Sequence, residues 1–275
     1  MLTFPFLYSP KTIIPFVVSF LISATSASIE PDSTMAMRMA PPLLFPAAAK
    51  HTATVIFVHG LGDTGYGWAS AVENWRRRQR LDEVKFILPH APRIPVTAAE
   101  GMAMPGWYDI LALSGKTDDI RKDQDEPGIL KSRDYFHGLI QAEIDSGIPA
   151  SRIVLGGFSQ GGAISLFSGL TAKVKLAGIV ALSAYLPLDS KFPDFLKEND
   201  HNRKTPVLMC HGDEDSVVPT NFGQMSYEML KKQGFDVTMK IYRGMPHSAC
   251  VEELDEVEAF LRARLPPEAD KKTEL

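Results

Sequence analysis

Ile153-Val154-Leu155-Gly156-Gly157-Phe158-Ser159-Gln160-Gly161-Gly162-Ala163-Ile164 is the stretch on which the fold turns. An apolar run with β-branched residues, Ile153-Val154-Leu155, reads as a strand. It runs directly into the G-x-S-x-G pentapeptide Gly157 to Gly161, where a strained turn brings neighbouring chain too close for a Cβ at either glycine. A small-residue helix start, Gly161 to Leu166, leaves the turn. The pentapeptide alone is a weak pattern, and an ordinary Gly-rich turn with a solvated serine is its bland alternative. The strand before it and the helix after it supply the setting the motif requires, which makes Ser159 the candidate nucleophile.

Outward from this turn, short apolar runs alternate with helical patterns, the reading expected of a parallel sheet covered by crossover helices. Strands are predicted at 54–58, 85–89, 151–156, 176–182, 206–211 and 237–242, and helices at 67–80, 132–146, 161–170, 220–233 and 250–265. The fold class is therefore α/β, a mostly parallel central sheet with helices on both faces. One stretch stands apart, a Gly/Pro-punctuated segment from Ile94 to Gly128 that reads as a single long loop, and a loop of that size in a compact domain is usually functional.

A serine hydroxyl needs a base, and the base needs an orienting carboxylate. Three histidines follow Ser159. His201 lies in a polar loop and reads as solvated; His211 ends a buried strand and reads as a hydrogen-bonded structural residue. His247, in Gly244-Met245-Pro246-His247-Ser248, follows the last strand and can reach the carboxyl edge of the sheet, where open α/β sheets bind ligands. The acid belongs to Gly212-Asp213-Glu214-Asp215, after the strand ending at His211. Asp213 and Asp215 face opposite ways if strand geometry persists. Asp213 suits an Asx turn, so Asp215 is preferred as the partner of His247, and Glu214 reads as a solvated charge. His59-Gly60-Leu61-Gly62-Asp63-Thr64-Gly65 follows the first strand and matches neither a dinucleotide nor a P-loop pattern. Its glycines let backbone N–H groups converge, so the N–H groups of Leu61 and of Gln160 are the candidate oxyanion donors.

These blocks, together with Trp68 and Met104-Pro105-Gly106-Trp107-Tyr108-Asp109, resemble the acyl-protein thioesterase family in order and spacing, over roughly Pro42 to Pro267. The resemblance implies the α/β-hydrolase fold, with Ser159, Asp215 and His247 as triad and Leu61 and Gln160 as oxyanion donors. It implies hydrolysis of S-palmitoyl thioesters on protein cysteines, with S-acylated proteins as substrates and lysophospholipids or simple esters as a side activity. No metal or cofactor is implied. Family members are typically cytoplasmic and nuclear, and transient contact with a membrane surface fits such substrates. Met104, Trp107, Ile110 and Leu113 are the expected apolar wall for the acyl chain; their alternative is to cover the edge of the sheet. Gly106 and Tyr108 depart from the family's more usual Ser and Phe. The competing readings are a short-chain carboxylesterase or lysophospholipase without a protein substrate, and a hydrolase-shaped scaffold without turnover.

The chain has 275 residues, 45% apolar and 23% charged, which excludes a disordered or fibrous protein and leaves room for one large domain. A formal charge of -4 removes the positive field that nucleic-acid binders use. Two cysteines, Cys210 and Cys250, are too few for a disulfide scaffold or a Cys-based zinc site. Residues 1–40 are expected to lie outside the fold. Lys11, the apolar run from Ile13 and the small residues Ala24 to Ser28 follow signal-peptide grammar and would mean secretion, while Met35, Met37 and Met39 offer alternative starts. The domain is placed at 41–267, followed by a flexible tail at 268–275. Nothing in the sequence specifies an oligomeric state.

Overall fold

The structure, a computed structural model, describes residues 39–111 and 123–268. Nine strands are found among them: β1 Leu43–Phe45, β2 Ala53–Val58, β3 Val84–Leu88, β4 Arg93–Val96, β5 Met102–Pro105, β6 Ile153–Phe158, β7 Gly178–Leu182, β8 Val207–Gly212 and β9 Val237–Tyr242. The α-helices are α1 Ala69–Arg77, α2 Glu126–Asp145, α3 Gln160–Leu170, α4 Phe192–Glu198, α5 Thr220–Lys232 and α6 Val251–Arg264. Seven strands form one sheet in the order β1-β3-β2-β6-β7-β8-β9. Only β1 runs antiparallel to its neighbour, so β2, β3 and β6 to β9 all end at one edge.

Side-chain alternation along β6 separates two cores. Ile153 and Leu155 join Ile129, Phe136 and Ile140 of α2 and Ile164 and Phe167 of α3. Val154 points the other way, toward Trp75 of α1 and Leu254, Val257 and Leu261 of α6. Helices therefore cover both faces, and the continuous apolar runs of the central strands follow from burial on two sides. Every residue of α3 is buried, consistent with a helix apolar nearly all round.

Four features differ from the sequence expectations. The 94–128 stretch is no single loop: β4 and β5 pair as an antiparallel hairpin within it. Helix α2 begins at Glu126, six residues before its expected start, because the Asp125 side chain caps it by accepting the Gly128 N–H at 3.0 Å, with Pro127 in the first turn. The short β1 and α4 were not expected at all. The expected acyl-wall residue Leu113 and the N-terminal apolar run lie outside the described residues. Among the described residues, no helix is long and apolar enough to cross a membrane.

Candidate active site

Ser159 stands between the last residue of β6 and the first of α3. Its backbone has φ 55° and ψ -124°, a left-handed φ that costs a non-glycine residue energy and is tolerated only where the surroundings enforce it. Those surroundings are tight: a Cβ on Gly161 would stand 2.2 Å from the Val58 carbonyl oxygen, and one on Gly157 2.5 Å from the same atom. The two glycines let β2, β6 and α3 close around the turn, and the serine is pushed out at the carboxyl edge.

The loops after β8 and β9 bring the other two groups to it. His247 Nε2 lies 2.9 Å from Ser159 Oγ, and His247 Nδ1 lies 2.7 Å from Asp215 Oδ2. Since a carboxylate only accepts, Nδ1 carries the proton and Nε2 presents its lone pair to the serine hydroxyl. Asp215 Oδ1 accepts the N–H groups of Val217 and Val218, each at 2.9 Å. Burial alone would push the Asp215 carboxyl up; hydrogen bonds from His211 and His247, the charge of His247 and the Val218 N–H outweigh it and hold the group well below the usual carboxylate range. Asp213 turns elsewhere, accepting the Gly244 N–H at 2.6 Å, and so ties the Asp215 loop to the His247 loop rather than capping its own turn.

His211 is the hydrogen-bonded, buried residue expected at the end of its strand, and it stands beside Asp215. Its Nε2–H is shared between the Val218 carbonyl at 2.8 Å and Asp215 Oδ2 at 3.3 Å. The turn that returns the chain four residues later could have signalled this.

Beside the candidate oxyanion donors, Gly60 packs on Ser159: a Cβ there would be 3.2 Å from Ser159 Cβ. Leu61 follows it, and Gln160 is the first residue of α3, so its N–H has no intrahelical acceptor and sits at the positive end of the helix. The hairpin covers this loop, with Gly62 N–H donating to the Pro105 carbonyl at 2.8 Å. Met104 and Ile110 are half-buried, and Met104 Sδ lies 4.0 Å from the Cβ position of Gly62. Trp107 is packed in the core instead, with ring centroids 5.1 Å from His59 and 4.9 Å from Phe136. The sequence reading missed the His59 ring and the Gln160 side chain. His59 is fully buried; its Nδ1 donates to the Gly60 carbonyl at 2.7 Å and its Nε2 accepts the Ala91 N–H at 3.0 Å. Burial pushes this imidazole down to about 4, so it is neutral near pH 7. Among the described residues, no cluster of three or more His, Cys, Asp or Glu could hold a metal ion.

A serine on a tight strand-to-helix turn, a histidine after the last strand hydrogen-bonded to it and a glycine loop after β2, all on a mostly parallel sheet, define the α/β-hydrolase fold. Residues 42–265 match the phospholipase/carboxylesterase family model. The chain is 65% identical to acyl-protein thioesterase 1 of Neurospora crassa over 84% of its own length and 94% of that protein. It is 64% identical to acyl-protein thioesterase 1 of Gibberella zeae over 82% and 96%. The crystal structure of Zea mays acyl-protein thioesterase 2 superposes with a TM-score of 0.71 at 30% identity, covering 82% of this chain and 98% of that one. The chain belongs to the phospholipase/carboxylesterase family, among its acyl-protein thioesterases, and is a hydrolase.

Proposed function

We propose that this enzyme is a serine hydrolase that releases long-chain acyl groups from S-acylated cysteines of proteins. The observation that carries the reading is the unbroken hydrogen-bond path from Asp215 through His247 to Ser159 Oγ. His247 Nε2 takes the hydroxyl proton as Oγ attacks the thioester carbonyl, and the N–H groups of Leu61 and Gln160 hold the oxyanion. Collapse breaks the C–S bond, the thiol leaves with the proton from His247, and the acyl group stays on Ser159. His247 then takes a proton from water, whose oxygen attacks the ester. The fatty acid departs and the proton returns to Oγ. The reaction balances with water alone. Asp215 stays ionised and stabilises the imidazolium formed in each half.

Met104 and Ile110 supply the apolar wall for the chain in this proposal, with Leu113 in the same stretch of sequence, while Trp107 supports that wall from the core. Lysophospholipids and simple esters are secondary substrates, contact with membranes is transient, and the working location is cytoplasmic and nuclear. Turnover is measured on a palmitoyl-cysteine peptide, a butyrate ester and a lysophospholipid, with Ser159→Ala as control. The palmitoyl peptide is expected to give the highest kcat/KM, with all turnover lost in the variant. Preference for butyrate or the lysolipid would assign a carboxylesterase or lysophospholipase instead.

A further inference from the structure

We infer that His59 and Trp107 form a positioning frame that aims both oxyanion donors at the acyl group. The inference rests on the serine-hydrolase reading and extends it to two residues outside the Ser-His-Asp path.

The planar peptide unit between Gly60 and Leu61 is the starting point. In a trans peptide the carbonyl and the N–H point in opposite directions, so whatever fixes the Gly60 oxygen also fixes the direction of the Leu61 N–H. The Gly60 oxygen accepts from His59 Nδ1 at 2.7 Å and, more weakly, from the Asp63 N–H at 3.3 Å. The ring that donates to it is itself fixed. A carbonyl on one side and an N–H on the other leave it one neutral tautomer, with the proton on Nδ1 and the Nε2 lone pair on Ala91. Buried at 0% exposure, it has no room for another rotamer without losing both partners.

Trp107 links this half of the hole to the other. Its indole Nε1 donates to the His59 carbonyl at 2.8 Å, and its backbone N–H donates to Gln160 Oε1 at 2.9 Å. The Gln160 amide completes the link by donating to the Tyr108 carbonyl at 2.7 Å. Gln160 is the proposed second oxyanion donor, so one tryptophan is bonded to the peptide that precedes the Gly60–Leu61 unit and to the side chain of the second donor. The Trp107 carbonyl, in turn, accepts from Ser132 Oγ on α2. Neither His59 nor Trp107 reaches the reacting atoms; both act through the peptides they hold.

Asparagine and glutamine separate this role from simple packing. An Asn Nδ2 lies as many bonds from the backbone as His Nδ1 and can still donate to Gly60. A Gln amide reaches the place of Nε2, so it can keep Ala91 but not Gly60. The experiment compares full-length wild type, His59→Asn, His59→Gln and Trp107→Phe by kcat, KM and the Ki of a decanoyl trifluoromethyl ketone, whose serine hemiketal places an oxyanion in the hole. We expect His59→Gln to lower kcat on the order of 10- to 100-fold, with KM changed less than about threefold. His59→Asn is expected to recover most of the loss, and Ki to rise in step with the fall in kcat/KM. Trp107→Phe, which keeps a ring but deletes the indole donor, is expected to show the same kcat-selected loss, and it decides the matter if the His59 variants do not fold. A folded His59→Gln with wild-type kcat and Ki, an Asn variant no better than Gln, or Trp107→Phe with unchanged kcat would overturn the frame. Failure of wild type itself to be inhibited through Ser159 would instead strike the serine-hydrolase reading.

Discussion

At the residue scale, the arrangement depends on an ionised carboxylate that cannot rotate. Asp215 is held by two backbone N–H groups on one oxygen and by His247, with His211 alongside, on the other. Replacing it with Asn keeps the shape but puts an N–H₂ or a neutral oxygen against Nδ1, which favours the wrong imidazole tautomer. Asp215→Asn is expected to lower kcat about 10³- to 10⁴-fold with little change in thermal melting, as stopped-flow thioester hydrolysis and calorimetry would show. A loss under about tenfold would mean that this carboxylate does not orient the base. The choice between Asp213 and Asp215 was open to argument in the sequence because side chains alternate along a strand; that Asp213 reaches across to Gly244 depends on the spacing of two separate loops and was not. The His59 lock and the Trp107 bridge were equally hidden. They join side chains to backbone groups, whose directions residue identity does not reveal.

At the scale of elements, α6 carries an unusual burden. Glu253, in its first turn, is fully buried, and neither carboxyl oxygen has a hydrogen-bond partner among the described residues. Burial, and then the charge of Asp215, push its carboxyl from 4.5 up to about 8. A raised carboxyl destabilises the fold as pH rises: the cost is absent below the unfolded value, grows as the unfolded chain releases a proton that the folded chain retains, and is complete above about 8. Urea unfolding of wild type is therefore expected to lose on the order of a few kcal/mol between about pH 5.5 and 8.5 through this group. In Glu253→Gln that component should vanish, and an identical pH slope in both proteins would contradict the assignment. The elements legible from sequence were the buried ones, since strands covered on both faces read as unbroken apolar runs. The three-residue β1 is only half-buried, and the β4–β5 hairpin includes Pro95 and Pro105, so neither offered a run to read. The start of α2 was legible in principle from Asp125-Glu126-Pro127, an N-cap followed by an acidic residue and proline.

At the scale of the whole molecule, the parallel order of β2 and β6 to β9 does the work of assembly. Because these strands end together, the His59 loop, Ser159, Asp215 and His247 meet although they are separated by up to 188 residues, the span from His59 to His247. That convergence was foreseeable from the strand-turn-helix around Ser159 and the rule that ligands bind at the carboxyl edge. The family match begins at residue 42 and β1 at Leu43, so a chain starting at Met39 contains every described element. Such a chain is expected to melt within about 3 °C of the full-length protein and to keep its kcat on a soluble thioester, measured by calorimetry and steady-state kinetics. A collapse of either would place residues 1–38 within the working domain. The central claim, covalent catalysis by Ser159, is tested most directly by rapid acid quench of the enzyme during turnover of a palmitoyl thioester, followed by peptide mass spectrometry. The account predicts a palmitoyl ester on the peptide containing Ser159, absent in Ser159→Ala. Acyl adducts confined to another residue, or undiminished hydrolysis by Ser159→Ala, would contradict it.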